Sequence, residues 1–270
     1  RYMLEREVHM LCTVDRNIQK SLGSLSEYAL KEQLKWGSIV TASNDMDECG
    51  MNCKGGDFII EIIARSNKQA DNFIDNVQNV RGITATTSDP ETIKYINKCA
   101  GVIDVETDCT LCIIKPHAVT ANKQSAVINE IINSNKFDVH AIMSKHLHSD
   151  MADEFFRVYR NLVPQYASFL EQMCIGPCIA MCITLKDGAS TGTNDMGEPM
   201  GVVESFREFV GPNNCELAIM LRPNSLRAIA GNPGLKTNTL QNGIHCTDLP
   251  EDGFMENSYF FNTLCSIRVK

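Results

Sequence analysis

A chain of 270 residues, 43% of them hydrophobic, is long enough for one large or two ordinary domains with real cores. Its net charge of −8 weighs against a general nucleic-acid surface and against purely electrostatic capture of an acidic polymer, since both rest on Lys and Arg. No run approaches 18 apolar residues, so no membrane-crossing helix is expected. The chain begins at Arg1 without a signal-peptide pattern and is expected to lack its true start.

Residues Val8 to Val14 read as a buried strand, and Ile18, Leu22, Leu25 and Ala29 follow at helical spacing in a helix that Gly37 should end. Ser38 to Ala42 reads as a short strand and residues 44–56 as a polar, glycine-bearing loop. Phe58 to Ala64 is the clearest strand of this half. Ala70, Phe73, Ile74 and Val77 then mark one face of a helix stopped at Gly82, before a strand from Ile83 to Thr87 and a short helix begun at Pro90. Strand, helix, strand, strand, helix, strand is the ferredoxin-like order.

A polar, alternating link over residues 101–108 reads as a boundary, with a strand from Cys109 to Ile114 beyond it. Val127, Ile128, Ile131 and Ile132 form the core-facing stripe of the next helix, Phe137 to His148 the next strand, and Ser149-Asp150 a helix cap. Cys178 to Leu185 reads as a further strand. The stretch that follows, 187–203, is rich in Gly, Ser, Thr and Asp and reads as a surface insertion; without Gly-Lys-Ser/Thr it is no P-loop.

The twelve cysteines sit mostly in apolar segments, which points to buried free thiols rather than a disulfide framework. Gly176-Pro177 breaks the helix that would align Cys174, Cys178 and Cys182, and Cys49 and Cys53 lack a second ligand pair, so a structural zinc is not expected. His117, His140, His146 and His148 read as surface residues.

His245 differs, lying in a polar, turn-forming segment with Glu256 eleven residues on. Upstream stand Lys115-Pro116-His117, the Arg207-Glu208-Phe209-Val210-Gly211 stretch and Arg222-Pro223-Asn224-Ser225-Leu226-Arg227. With those segments in this order, the chain from about Cys109 to Phe261 resembles a nucleoside diphosphate kinase domain, in the form found in the tandem-domain axonemal branch of that family. The resemblance implies two tandem ferredoxin-like α/β domains, divided at 1–105 and 106–270.

Resemblance is faint over the first half, which lacks the Lys-Pro pair, the arginine loop and a nucleophilic histidine. Residues 1–105 then read either as a degenerate, catalytically dead copy or as an unrelated α/β domain of the same topology.

The mechanism implied by the resemblance is ping-pong phosphoryl transfer from a nucleoside triphosphate to a diphosphate through phospho-His245. Glu256 would orient the ring, Lys115, Arg207 and Arg227 would bind phosphates, and Asn242 would contact sugar and phosphate. Mg2+ would arrive with ATP or another triphosphate.

Departures from the family's pattern are Phe156 for a cleft-lining Tyr, Asn213 for a Thr, Cys246-Thr247 for Gly-Ser, and residues 232–237 in place of a regular approach strand. The segment Asn161 to Tyr166 has no arginine after Arg160 and only Tyr166 as an aromatic. Losing one phosphate arginine and a stacking platform should each cost on the order of 1–3 kcal/mol of nucleotide binding.

The resemblance also implies a place in the cytoplasm and cytoskeleton, on a ciliary or flagellar axoneme or a microtubule-organising centre. Tubulin or other doublet-microtubule proteins would be partners, and nucleic acid and membrane would not. The competing expectation is a purely structural microtubule scaffold without activity.

Overall fold

The computed structural model of the chain describes residues 7–42, 54–88, 103–232 and 242–266. In the first half they form β1 (Val8–Val14), α1 (Gln19–Lys31), β2 (Lys35–Thr41), β3 (Phe58–Ala64), α2 (Asn67–Val77) and β4 (Ile83–Ser88). The second half continues with β5 (Thr110–Ile114), α3 (Pro116–Thr120), α4 (Gln124–Asn133), β6 (Phe137–Lys145), α5 (Ser149–Phe156), α6 (Tyr166–Cys174), β7 (Cys178–Leu185), α7 (Val202–Val210), α8 (Cys215–Leu221), α9 (Leu226–Ala230), β8 (Ile244–Cys246) and α10 (Gly253–Ser258). Two antiparallel sheets result, ordered β2-β3-β1-β4 and β6-β7-β5-β8. Place for place, β5, α4, β6, β7, α7 and β8 repeat β1, α1, β2, β3, α2 and β4, so both halves have the ferredoxin-like arrangement.

Several local expectations shift. α1 stops at Lys31, and Gly37 lies inside β2, which starts at Lys35 rather than Ser38. β6 ends at Lys145, three residues before His148, and Ser149 is the first helical residue of α5 instead of its cap. The link is not simply polar: Ile103 and Val105 are buried against the second half's core while Asp104 and Glu106 face out, so its alternation is that of a half-buried strip. The insertion is exposed or half-buried through Gly201 and closed by a Thr193–Pro199 bridge, but Val202 and Val203 belong to α7 and are buried. The helix expected at Pro90, residues 43–53 with Cys49 and Cys53, and residues 233–241 lie outside the described residues.

β5 explains why the second half holds a defined site. Cys112 and Ile114 face a cluster that includes Val127, Ile128 and Phe206, while Leu111 and Ile113 face another with Phe156, Phe169 and Phe260. Apolar packing on both faces fixes its register and thereby the position of Lys115 at its end.

The two halves meet through equivalent elements, β2 beside β6 and α1 against α4. Thr41 Oγ1 donates to Ile142 O and accepts from Ile142 N, both at 2.9 Å, and Ile39 N donates to Ser144 Oγ at 2.9 Å. Gln19, opening α1, reaches Val139 N and O on β6 at 2.9 and 3.0 Å. Reciprocally, Trp36 on β2 donates from Nε1 to Ser125 Oγ on α4 at 2.9 Å. Trp36 and Val139 each flank a register shift in their strand, so the contacts follow an approximate twofold axis. Outward main-chain groups of two edge strands thereby find partners, and one apolar cluster runs through both halves.

Candidate active site

Lys115 leaves the end of β5 and Pro116 starts α3 at a position where its missing N–H costs nothing. The side chain turns inward: Lys115 is 6% exposed, its Nζ donates to Asn242 Oδ1 at 2.9 Å and stands 5.5 Å from the centre of the Phe169 ring. Burial first, and then the neighbouring Arg227, bring its pKa down to about 7.

Arg227, on α9, is also buried, donating to Gly211 O at 2.8 Å and Ile244 O at 3.4 Å and approaching Cys246 Sγ at 3.9 Å. None of those acceptors is a carboxylate. Glu208, on α7, instead lies 3.9 Å from Arg222. Gly211 is required here: its φ is +89°, and a Cβ would stand 2.5 Å from Ser225, the residue that caps α9.

Arg207, on α7, takes a different course. It is half-exposed, forms an ion pair with Asp248 and donates to Thr247 O at 3.4 Å. Asp248 also accepts from the Tyr159 hydroxyl at 2.5 Å. Burial pushes the Asp248 carboxyl up, and Tyr159 and Arg207 together outweigh that and leave it below the usual carboxylate range.

His245 occupies the middle of the short strand β8, paired with Ile113. Its ring is ringed edge-on by Phe155, Phe156 and Tyr159, with centroids 5.7, 5.3 and 6.1 Å away. Nε2 is buried without a hydrogen-bond partner and lies 3.7 Å from Glu256 Oε2. The expected Glu256–imidazole hydrogen bond is therefore not made at this distance. Thr247 Oγ1 donates to the same carboxylate oxygen at 2.7 Å, and accepts from Leu111 N at 2.9 Å.

One cavity of about 230 Å³ unites these groups, lined by Lys115, Arg207, Asn213, Arg227, Asn242 and His245 among others. Asn213 enters as a positioning residue, accepting from Asn242 Nδ2 through its carbonyl at 3.0 Å. Glu256 stands behind His245 and off the wall. Phe156 corrects the sequence expectation: it is fully buried, packed on Phe155, Phe169 and His245, and supports the imidazole without lining the cavity.

Sequence reasoning missed Tyr159, Val163, Phe169 and Asp248, all on the wall. Asp248 was legible as the carboxylate three residues past His245, and Tyr159 as the aromatic one helical turn past Phe156. Arg160 and Tyr166, between α5 and the start of α6, are turned elsewhere, Arg160 pairing with Asp153 at 2.6 Å and Tyr166 donating to it at 3.1 Å. His146 and His148 stack at 6.0 Å, and among the described residues no His, Cys, Asp or Glu cluster forms a metal site.

Two buried cations without a carboxylate, an imidazole with one nitrogen turned to a glutamate, and a shared cavity make a site for a phosphate-bearing ligand. The family model "Nucleoside diphosphate kinase" matches residues 108–264. "Nucleoside diphosphate kinase homolog 7" from Mus musculus is 39% identical over 158 residues, covering 58% of this chain and 35% of that protein. The Rattus norvegicus protein of the same name is 37% identical over 158 residues, with the same coverage. The chain thus spans about a third of the length of these two relatives. A nucleoside diphosphate kinase of Aquifex aeolicus is 28% identical over 155 residues, 57% of this chain and 94% of its own. A crystal structure of the Aquifex aeolicus enzyme aligns with a TM-score of 0.47 at 27% identity, covering 58% of this chain and 96% of that one. With its motifs gathered around one cavity and the family model matched over more than half its length, the chain belongs to the nucleoside diphosphate kinase family.

Proposed function

We propose that the second half catalyses phosphoryl transfer from a nucleoside triphosphate to a nucleoside diphosphate through a phosphohistidine at His245. The observation that carries this reading is the pairing of buried Lys115 and Arg227, neither held by a carboxylate, on the cavity wall that also presents His245. Cations left without a counter-ion in a buried site favour an incoming anion with several oxygens.

Because Nε2 is buried toward Glu256, Nδ1 is the nitrogen assigned to attack. The proton stays on Nε2, so Nδ1 carries the lone pair. As the N–P bond forms, the bond between the terminal phosphorus and its bridging oxygen breaks and the diphosphate leaves. In the second half-reaction a terminal oxygen of the acceptor attacks phosphorus and the N–P bond breaks, regenerating His245. Glu256, closing from 3.7 Å, would stabilise the proton on Nε2 as charge develops on the ring.

A magnesium ion bound to the nucleotide fits this wall. Among the described lining residues Asp248 is the one carboxylate, which suits an ion that takes most of its ligands from phosphate and water. Such an ion would neutralise phosphate charge. The lack of an arginine and of a stacking platform over Asn161 to Tyr166, and a phosphate arginine already paired with Asp248, support slow turnover.

The first half, residues 1–105, is proposed as a kinase-like unit without a site of its own. Its only histidine, His9, is paired on β1 with Glu61 at 2.7 Å, and it packs on the second half through equivalent elements. A place on ciliary microtubules with tubulin as partner rests on likeness to the tandem branch alone, and co-sedimentation with microtubules tests it.

The chemistry is tested with terminally labelled ATP. Acid-labile label on the wild-type chain, absent from His245→Ala and discharged by a nucleoside diphosphate, is the expected result; label that survives in the variant sinks the reading.

A further inference from the structure

Of the three cations facing the cavity, Arg207 alone is matched by a carboxylate among the described residues. Asp248 bridges two side chains, its Oδ1 paired with Arg207 and its Oδ2 accepting from Tyr159 at 2.5 Å. Tyr159 comes from the hairpin after α5, 89 residues away in sequence, and is braced edge-on against His245. Arg207, Asp248 and Tyr159 all line the same cavity, in which Asp248 is the one acidic residue among the described residues. The carboxylate thus occupies the arginine in the place where a phosphate oxygen would meet it, and adds a negative charge that an incoming anion must approach.

We propose that Asp248 is a built-in competitor for phosphate at Arg207, and that Tyr159 is the positioning residue that holds it there. Binding a phosphate chain across all three cations requires the Arg207–Asp248 pair to open, so the pair sets the affinity of the site. The proposal rests on the phosphoryl-transfer reading, since it assumes that phosphate is what the cations hold. It differs from that reading in sign: a residue that merely builds the phosphate site weakens binding when altered, whereas a competitor strengthens it.

The test is isothermal titration of the full chain with inorganic pyrophosphate and with ADP, in a chelator so that no metal bridges Asp248 to the ligand. Asp248→Asn should bind pyrophosphate about three- to tenfold more tightly than the wild type, the range expected for removing one half-exposed opposing charge. Tyr159→Phe should give a smaller gain in the same direction. Combining Asp248→Asn with Arg207→Ala should show no gain over Arg207→Ala alone.

Unchanged or weaker binding by Asp248→Asn overturns the proposal while leaving the phosphoryl-transfer reading in place, provided the wild type binds. A gain that persists without Arg207 also overturns it, because the effect is then one of general charge. If neither the wild type nor any folded variant binds either ligand, both readings fall. Circular dichroism checks folding, and should Asp248→Asn misfold, the Tyr159→Phe result decides alone.

Discussion

The Thr247 hydroxyl holds the Glu256 carboxylate at 2.7 Å, and His245 Nε2 stands 3.7 Å from the same oxygen. Glu256 is thereby parked one small movement from the imidazole it would orient. Thr247 itself is buried and anchored by Leu111 N, so the carboxylate is tied to the β5–β8 ladder rather than to a loose helix end.

From this geometry Glu256→Gln should lower the rate of histidine labelling on the order of 100-fold, the low end of what a positioned acid–base group contributes. Pyrophosphate affinity should stay near the wild-type value, because Glu256 is off the cavity wall. Single-turnover labelling and titration separate the two; an equal loss in both would assign Glu256 a structural role instead.

Lys115 carries a stability cost. Its pKa is about 7 in the folded chain, against an ordinary value of 10.5, because burial and Arg227 oppose its charge. Between those values the unfolded chain binds more protons, so this group makes stability rise with pH through that window, and its cost is full below pH 7. Lys115→Met should therefore be more stable than the wild type at pH 6, by on the order of 2 kcal/mol, with the difference closing toward pH 10. Urea unfolding at several pH values reads this, and the same variant should lose pyrophosphate binding.

Trp36 is the chain's single tryptophan and sits at the junction of the halves, 8% exposed, with its Nε1 on Ser125. Its fluorescence reports that junction alone. We expect the Trp36 unfolding transition to coincide with far-ultraviolet circular dichroism, as a continuous core through both halves requires. Ser125→Ala, which strands the indole N–H, should cost about 1–2 kcal/mol and shift both transitions together. A fluorescence transition well ahead of the dichroism would show that the halves separate before they unfold.

Much of the architecture was legible in the chain. Val8–Val14, Phe58–Ala64 and Cys178–Leu185 are mostly apolar runs and emerged as strands with those bounds, and the stripe through Ala70, Phe73 and Val77 became the buried face of α2. Edges were read less well, as at Gly37 and His148, because a strand end depends on its pairing partner. The alternation of the link was legible, but not that Ile103 and Val105 would be buried, since they find their apolar surface only on a sheet assembled from distant segments.

By itself the sequence determined the elements, the order of the motifs and six residues that meet on one cavity wall: Lys115, Arg207, Asn213, Arg227, Asn242 and His245. Tertiary structure alone decided that Phe156 supports His245 from behind, that Glu256 is held by Thr247, and that Arg207 already has Asp248 as its partner. The reason is one of range. Alternation and helical spacing record how a residue is buried within its own element, whereas a charge takes whichever partner the fold brings near, here across 41 residues for Arg207 and Asp248 and 89 for Tyr159 and Asp248.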